Sequence, residues 1–131
     1  MLEELAKALE KSWCKRTCAK TGLWRRDNPS WGQCAVTAAV VQDYMGGKIV
    51  WCMVRPPGKK SASHYFNNIH KAELDFTREQ FPEGSKFERG QRRSQGLRTT
   101  RKYIMSSDAT RKRYELLKER VEAELARARK S

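Results

Sequence analysis

The chain has 131 residues, of which 38% are apolar and 33% charged, and a formal charge of +13. That length suits one domain around a single core, spanning residues 1–131, with no staple needed to hold it. No apolar run approaches the roughly 18 residues of a membrane span. Met1-Leu2-Glu3-Glu4-Leu5 is acidic and amphipathic, unlike the basic start of a signal peptide, so a cytoplasmic protein with reduced cysteines is expected.

Residues 1–85 carry a net +4 and residues 86–131 a net +9. A field of that sign favours an anionic partner such as nucleic acid, an acidic protein or anionic lipid, without naming one.

Leu2, Leu5, Leu9 and Trp13 fall at helical spacing and predict an amphipathic helix over residues 2–12. Residues 14–32 read as irregular, with Gly22, Asp27, Asn28 and Pro29 as turn formers and Trp24 and Trp31 as anchors. Cys14 and Cys18 are spaced as neighbours on one helical face, and Cys52 stands alone. With no second close Cys or His pair the ligand spacing for zinc is incomplete, so no metal or other cofactor is expected.

Asn28-Pro29-Ser30-Trp31-Gly32-Gln33-Cys34 then leads into the run Ala35 to Val41, and Gly46-Gly47 gives a left-handed stop. This predicts a central, buried helix with Cys34 in its first turn. A thiol there feels the positive end of the helix dipole, which favours the thiolate and suits a nucleophile. A cysteine among Ala and Val is also an ordinary packing residue.

Lys48 to Val54 is β-branched and aromatic and predicts a buried strand, broken by Pro56-Pro57-Gly58. Residues 61–69 and 71–76 predict a hairpin beside it, with the turn at Asn67, Asn68 and His70. Thr77-Arg78-Glu79-Gln80 fits a capping box that starts a short helix ended by Pro82 and Gly84. Residues 86–98 read as a mobile basic loop and 99–105 as a short extended segment. A long helix follows over 107–129, with Tyr114, Leu117, Val121 and Leu125 in one stripe that lies across the domain or against a second copy, the latter a homodimer. The class is therefore α+β: a central helix on a small antiparallel sheet, with an amphipathic N-terminal helix and a long C-terminal one.

Three groups able to do chemistry occur in the order Cys34, His64, Asp75, the first at a helix start and the others on facing strands. Brought together they form a cysteine triad: His64 takes the thiol proton, Asp75 orients the ring, and the Cys34 amide with a side-chain amide from Asn28 or Gln33 stabilises an oxyanion. Trp24, Trp31 and Tyr65 would line the substrate pocket. Taken singly, His64 also reads as a hydrogen-bonded strand histidine and Asp75 as an accessory cap for Thr77.

At these residues the chain resembles the YunG-like family of small bacterial and archaeal proteins. The likeness rests on Asn28 to Ala38, on Val41-Gln42-Asp43-Tyr44 with Gly46-Gly47, on Ser63-His64-Tyr65 with Asn67, on Leu74-Asp75 with Thr77 to Phe81, and on Arg113 to Leu117. More distantly, cysteine at a helix start followed by His and Asp on adjacent strands resembles the papain and transglutaminase superfamily, and Gly32-Gln33-Cys34 is similar to the Gly-Ser-Cys of papain-like proteases. Here Asn28 stands where those enzymes carry an oxyanion-hole glutamine, and Ala35 replaces the aromatic after the cysteine. The resemblance implies a papain/transglutaminase-like core and a cysteine hydrolase or acyl-transferase acting on an amide, isopeptide or thioester bond of a peptide or protein.

The alternative of another class is a non-catalytic basic module that binds nucleic acid, with Cys34 and His64 structural. Its surface would be Arg89, Arg92, Arg93, Arg98, Arg101, Lys102 and Arg111-Lys112-Arg113. Only Phe87, Tyr103 and Tyr114 are nearby for base stacking, and helix-paired charges are ordinarily a solvated face.

Overall fold

A computed structural model describes residues 1–130. Its first helix, α1 (Leu2–Ser12), buries Leu5, Ala8, Leu9 and Ser12 on one face, as the spacing requires. Glu3 and Glu4 lie in its first turn and Lys11 in its last, each complementing the helix dipole. Trp13 follows, and its indole N–H donates to Thr37 Oγ1 at 2.8 Å, tying the end of α1 to the central helix.

That central helix, α2 (Cys34–Met45), buries Val36 to Val41. It stops at Gly46 and Gly47, both at positive φ, where a side chain is strained. At Gly47 a Cβ would also come within 2.5 Å of the Asn68 carbonyl oxygen, so this turn holds the helix tight against the sheet.

Strands β1 (Lys48–Arg55), β2 (Ala62–Ile69), β3 (Ala72–Leu74) and β4 (Lys86–Phe87) form one antiparallel sheet in the order β3-β2-β1-β4. Register places Cys52 opposite His64 and Trp51 opposite Tyr65. Because side chains alternate along a strand, Tyr65 joins Ala38, Ala39, Ile49 and Ile104 beside α2. His64 instead meets the rings of Phe66, Phe81 and Phe87.

Four local expectations are corrected. Asn67 and Asn68 lie within β2, where Asn67 satisfies its buried amide on the Ala38 carbonyl at 2.9 Å. The turn is His70-Lys71, both at positive φ. Thr77 makes no side-chain cap bond and introduces only a short 3-10 turn over Arg78–Gln80. Residues 99–105 are helical rather than extended: α3 (Thr100–Ile104) is capped by Thr99, whose hydroxyl accepts from the Lys102 N–H.

The segment read as a mobile basic loop over 86–98 begins with β4 and continues along β1. Glu88 N–H donates to the Met53 carbonyl, and Gln91 and Trp51 exchange backbone hydrogen bonds at 2.7 and 2.8 Å.

The C-terminal helix, α4 (Asp108–Lys130), buries Leu117, Val121 and Leu125. These pack with Leu5 and Leu9 of α1 and with Val36, Val40 and Val41 of α2. The stripe is thus covered within its own domain. Among the described residues no helix is long and apolar enough to cross a membrane.

Candidate active site

The loop before Cys34 is locked from several directions. Gly32 sits at φ 73°, and a Cβ there would meet Cys18 Sγ at 2.5 Å. Cys18 is buried beneath it, with its thiol on the Trp31 carbonyl at 3.4 Å. Gln33 is fully buried and donates from Nε2 to the Cys14 carbonyl at 3.0 Å. Asn28 Nδ2 donates to the Gln80 carbonyl at 3.1 Å, and Gly32 N–H donates to Gln80 Oε1 at 3.2 Å. Both amides named for an oxyanion hole are therefore engaged in holding the loop.

Gln80 was not singled out in the sequence. It stood there as the last residue of a supposed capping box, and nothing in that pattern signals a bond to a loop 48 residues away.

Cys34 opens α2 half-buried, and no side chain caps that helix start. The amides of its first turn therefore face the same side as the sulfur. Close by is His64, fully buried, with Nε2 2.6 Å from Asp75 Oδ2. Asp75 lies one residue past β3, is itself largely buried, and leaves Oδ1 without a partner.

The other ring nitrogen of His64, Nδ1, has no hydrogen bond of standard geometry. The Cys34 thiol nevertheless lies close enough to favour the charged imidazole. Burial of the ring opposes its charged form, but the Asp75 bond, the Cys34 contact and the negative charge of both partners outweigh that and push His64 up to about 9. His64 and Asp75 are thus joined directly, and Cys34 lies near enough to the ring to favour its charged form.

The chain matches the family model described as YunG protein over residues 1–126. It belongs to the YunG family. It is also 38% identical over 80 residues, 61% of this chain, to the "Uncharacterized protein YunG" of Bacillus subtilis (strain 168). The matched stretch covers 63% of that relative's length. Neither match supports a papain-like or transglutaminase-like relationship, and no solved structure matches the chain.

The other cysteines of this YunG-family chain have different surroundings. Burial, with Asp75 and Glu73 nearby, pushes the Cys52 thiol up to about 11, and burial also raises Cys18. Among the described residues no three of His, Cys, Asp or Glu gather as metal ligands, and Cys14 and Cys18 do not share a helix face, because α1 ends at Ser12.

Of the aromatic residues named for a pocket, Tyr65 is within electrostatic reach of Cys34, and burial and Tyr103 raise its hydroxyl to about 12. Trp31 lines a cleft with Asn28 and Gln80. Trp24 is elsewhere: its indole donates to the Pro29 carbonyl at 3.0 Å, and it borders a hollow with Glu10, Trp13 and Cys14.

The basic residues do not form one free surface. Arg101 donates to the Ala39 carbonyl, Gln42 and Tyr114 and pairs with Asp43 at 3.0 Å. Arg93 stacks on Trp51, Arg111 pairs with Asp108 and caps the Met105 carbonyl, and Arg113 bonds Thr110. Arg89, Arg92, Arg98, Lys102 and Lys112 are exposed.

Proposed function

We propose that the protein is a papain-type cysteine hydrolase or acyl-transferase acting on an amide, isopeptide or thioester bond. The observation that carries this reading is the fully buried His64 bonded to Asp75 at 2.6 Å, with its second nitrogen open and the thiol at the start of α2 near enough to favour the charged ring. Most buried polar atoms are paired, so the open Nδ1 of a ring this deeply buried asks for an explanation.

In this mechanism His64, steered by Asp75, takes the Cys34 thiol proton as the sulfur engages the substrate. The sulfur attacks the carbonyl carbon, and the oxyanion that forms is stabilised by the Cys34 amide and its first-turn neighbours. Collapse of the tetrahedral intermediate breaks the bond to the leaving nitrogen or sulfur, which takes the Nδ1 proton. Water or an amine then attacks the acyl-thioester, returns its proton to Nδ1 and frees the sulfur. Gln33 has no part in this scheme, being sealed from solvent. Asn28 supports the loop through Gln80.

The test is site-resolved alkylation with iodoacetamide across pH. Cys34 should be modified well ahead of Cys14, Cys18 and Cys52, and His64→Ala should remove that lead. Uniform modification of all four thiols, indifferent to His64, overturns the proposal and favours the basic module.

A further inference from the structure

The hydrogen bonds that leave residues 28–33 go to two parts of the chain. On the near side they return to the segment just before: the Trp24 indole donates to the Pro29 carbonyl, Ala19 N–H donates to the Gly32 carbonyl at 2.9 Å, and Gln33 donates to the Cys14 carbonyl. On the far side both bonds end on one residue. Gln80 accepts from Asn28 Nδ2 with its backbone carbonyl and from Gly32 N–H with Oε1.

The segment that ends at Gln80 and Phe81 is the one that holds the base. Asp75 bonds His64 Nε2 at 2.6 Å, and Phe81 packs edge-on against the same ring at 5.0 Å. Between them the turn is closed by Gln80 N–H on the Thr77 carbonyl at 3.0 Å and pinned by the Arg78 guanidinium, 3.7 Å over the Phe87 ring. Residues 75–81 therefore grip His64 at both ends and reach the nucleophile's loop through Gln80.

The body of α2 is fixed separately, where Asn67 of β2 bonds the Ala38 carbonyl one turn in from Cys34. A helix bonded at one point is free to pivot about it, and the start of α2 has no side-chain cap to hold it. Gly32 lies two residues before Cys34, so its bond to Gln80 supplies a second point. The Gln80 amide serves here through its oxygen alone, because Nε2 is buried without a partner on a residue 9% exposed.

We infer that Gln80 is a positioning residue that sets the separation between the Cys34 sulfur and the His64 ring, by tying the loop before α2 to the segment that carries Asp75. As part of a catalytic device it rests on the thiol acyl-transfer reading, whereas the tie itself stands on hydrogen bonds independent of that reading. Gln80→Met nearly keeps the size of the side chain and removes the amide acceptor.

The test follows the His64 ring signals of ¹⁵N-labelled protein through pH, in parallel with Cys34 alkylation by iodoacetamide. Cys34→Ala should lower the His64 midpoint from about 9, because the thiol favours the charged ring. Gln80→Met should lower it too, with little further drop when Cys34→Ala is added, as two changes acting through one contact require. Gln80→Met should also slow Cys34 alkylation about tenfold, the scale of one positioned hydrogen bond. Asn28→Ala, which cuts the other tie to Gln80, should act in the same direction. Cys18→Ala, which frees the Trp31 carbonyl on the near side, should leave the midpoint in place. A midpoint indifferent to Cys34→Ala or to Gln80→Met, or one that Cys18→Ala lowers equally, overturns the assignment. The expected midpoints beside an unreactive Cys34 keep the tie and remove the enzyme; a His64-dependent Cys34 with a midpoint that ignores Gln80→Met does the reverse.

Discussion

The two buried sides of this molecule are built on different principles. Between α1, α2 and α4 the contacts are almost wholly aliphatic: Leu5, Leu9, Val36, Val40, Val41, Leu117, Val121 and Leu125. Around His64 the interior is mixed, with Phe66, Phe81 and Phe87 enclosing an imidazole that is bonded to a carboxylate, and Cys52 opposite on the neighbouring strand. His64 Nδ1, Asp75 Oδ1 and Gln80 Nε2 all lack hydrogen-bond partners on that second side. Unmet hydrogen-bonding capacity costs stability. The contrast teaches that the helical layer is held by aliphatic packing, with Ser12 Oγ and Arg113 Nε as unpaired polar atoms, while the aromatic side keeps a buried imidazole–carboxylate pair at its centre.

The sharpest break in the comparison is His64→Ala. It should slow Cys34 alkylation at pH 7 by roughly a hundredfold, the scale expected from removing a positioned acid-base group, as followed by mass spectrometry. Leu117→Ala does the opposite. Its cavity should cost about 3 kcal/mol in a urea melt while leaving alkylation of the folded protein unchanged.

The pH dependence of stability should follow His64. Its pKa is raised from 6.5 to about 9 in the fold. Below 6.5 the ring is charged in both folded and unfolded chains, so the gain from its bond to Asp75 is fully present. As pH rises through 9 the folded chain loses that charge too, and the gain is lost. Unfolding free energies from urea melts should therefore fall between pH 6.5 and 9 by about 3 kcal/mol, and Asp75→Asn should flatten the slope. The smallest effect is at the hairpin that carries Asp75. His70→Asn with Lys71→Gly relieves two positive-φ positions and should stabilise by about 1 kcal/mol without altering Cys34.

Much of the reacting centre was legible because its signals are local. Turn formers before Cys34 and the Gly46-Gly47 stop mark α2 within a residue or two, and β2, which carries His64, shows Tyr65, Phe66 and Ile69. What stayed hidden depends on distant partners. Asn67 looks like a turn residue until the Ala38 carbonyl takes its amide. His70 and Lys71 carry no turn preference strong enough to announce a left-handed pair. Residues 88–91 are polar and resemble a solvated loop, yet the exposed edge of β1 gives their backbone partners. Thr99 to Ile104 is rich in β-branched and aromatic residues, and only the Thr99 cap tips it to helix. Gln80 matters through a loop that the local pattern cannot see.

The packing of α1 on α4 reaches beyond the folded state. Arg120 donates to the Ser12 carbonyl at 2.7 Å, a contact between groups 108 positions apart. During synthesis the apolar face of α1 leaves the ribosome long before its cover exists, so Leu5 and Leu9 stay exposed until α4 emerges. Completion of the aliphatic layer therefore waits for the last-made helix, even though α2 supplies part of it earlier.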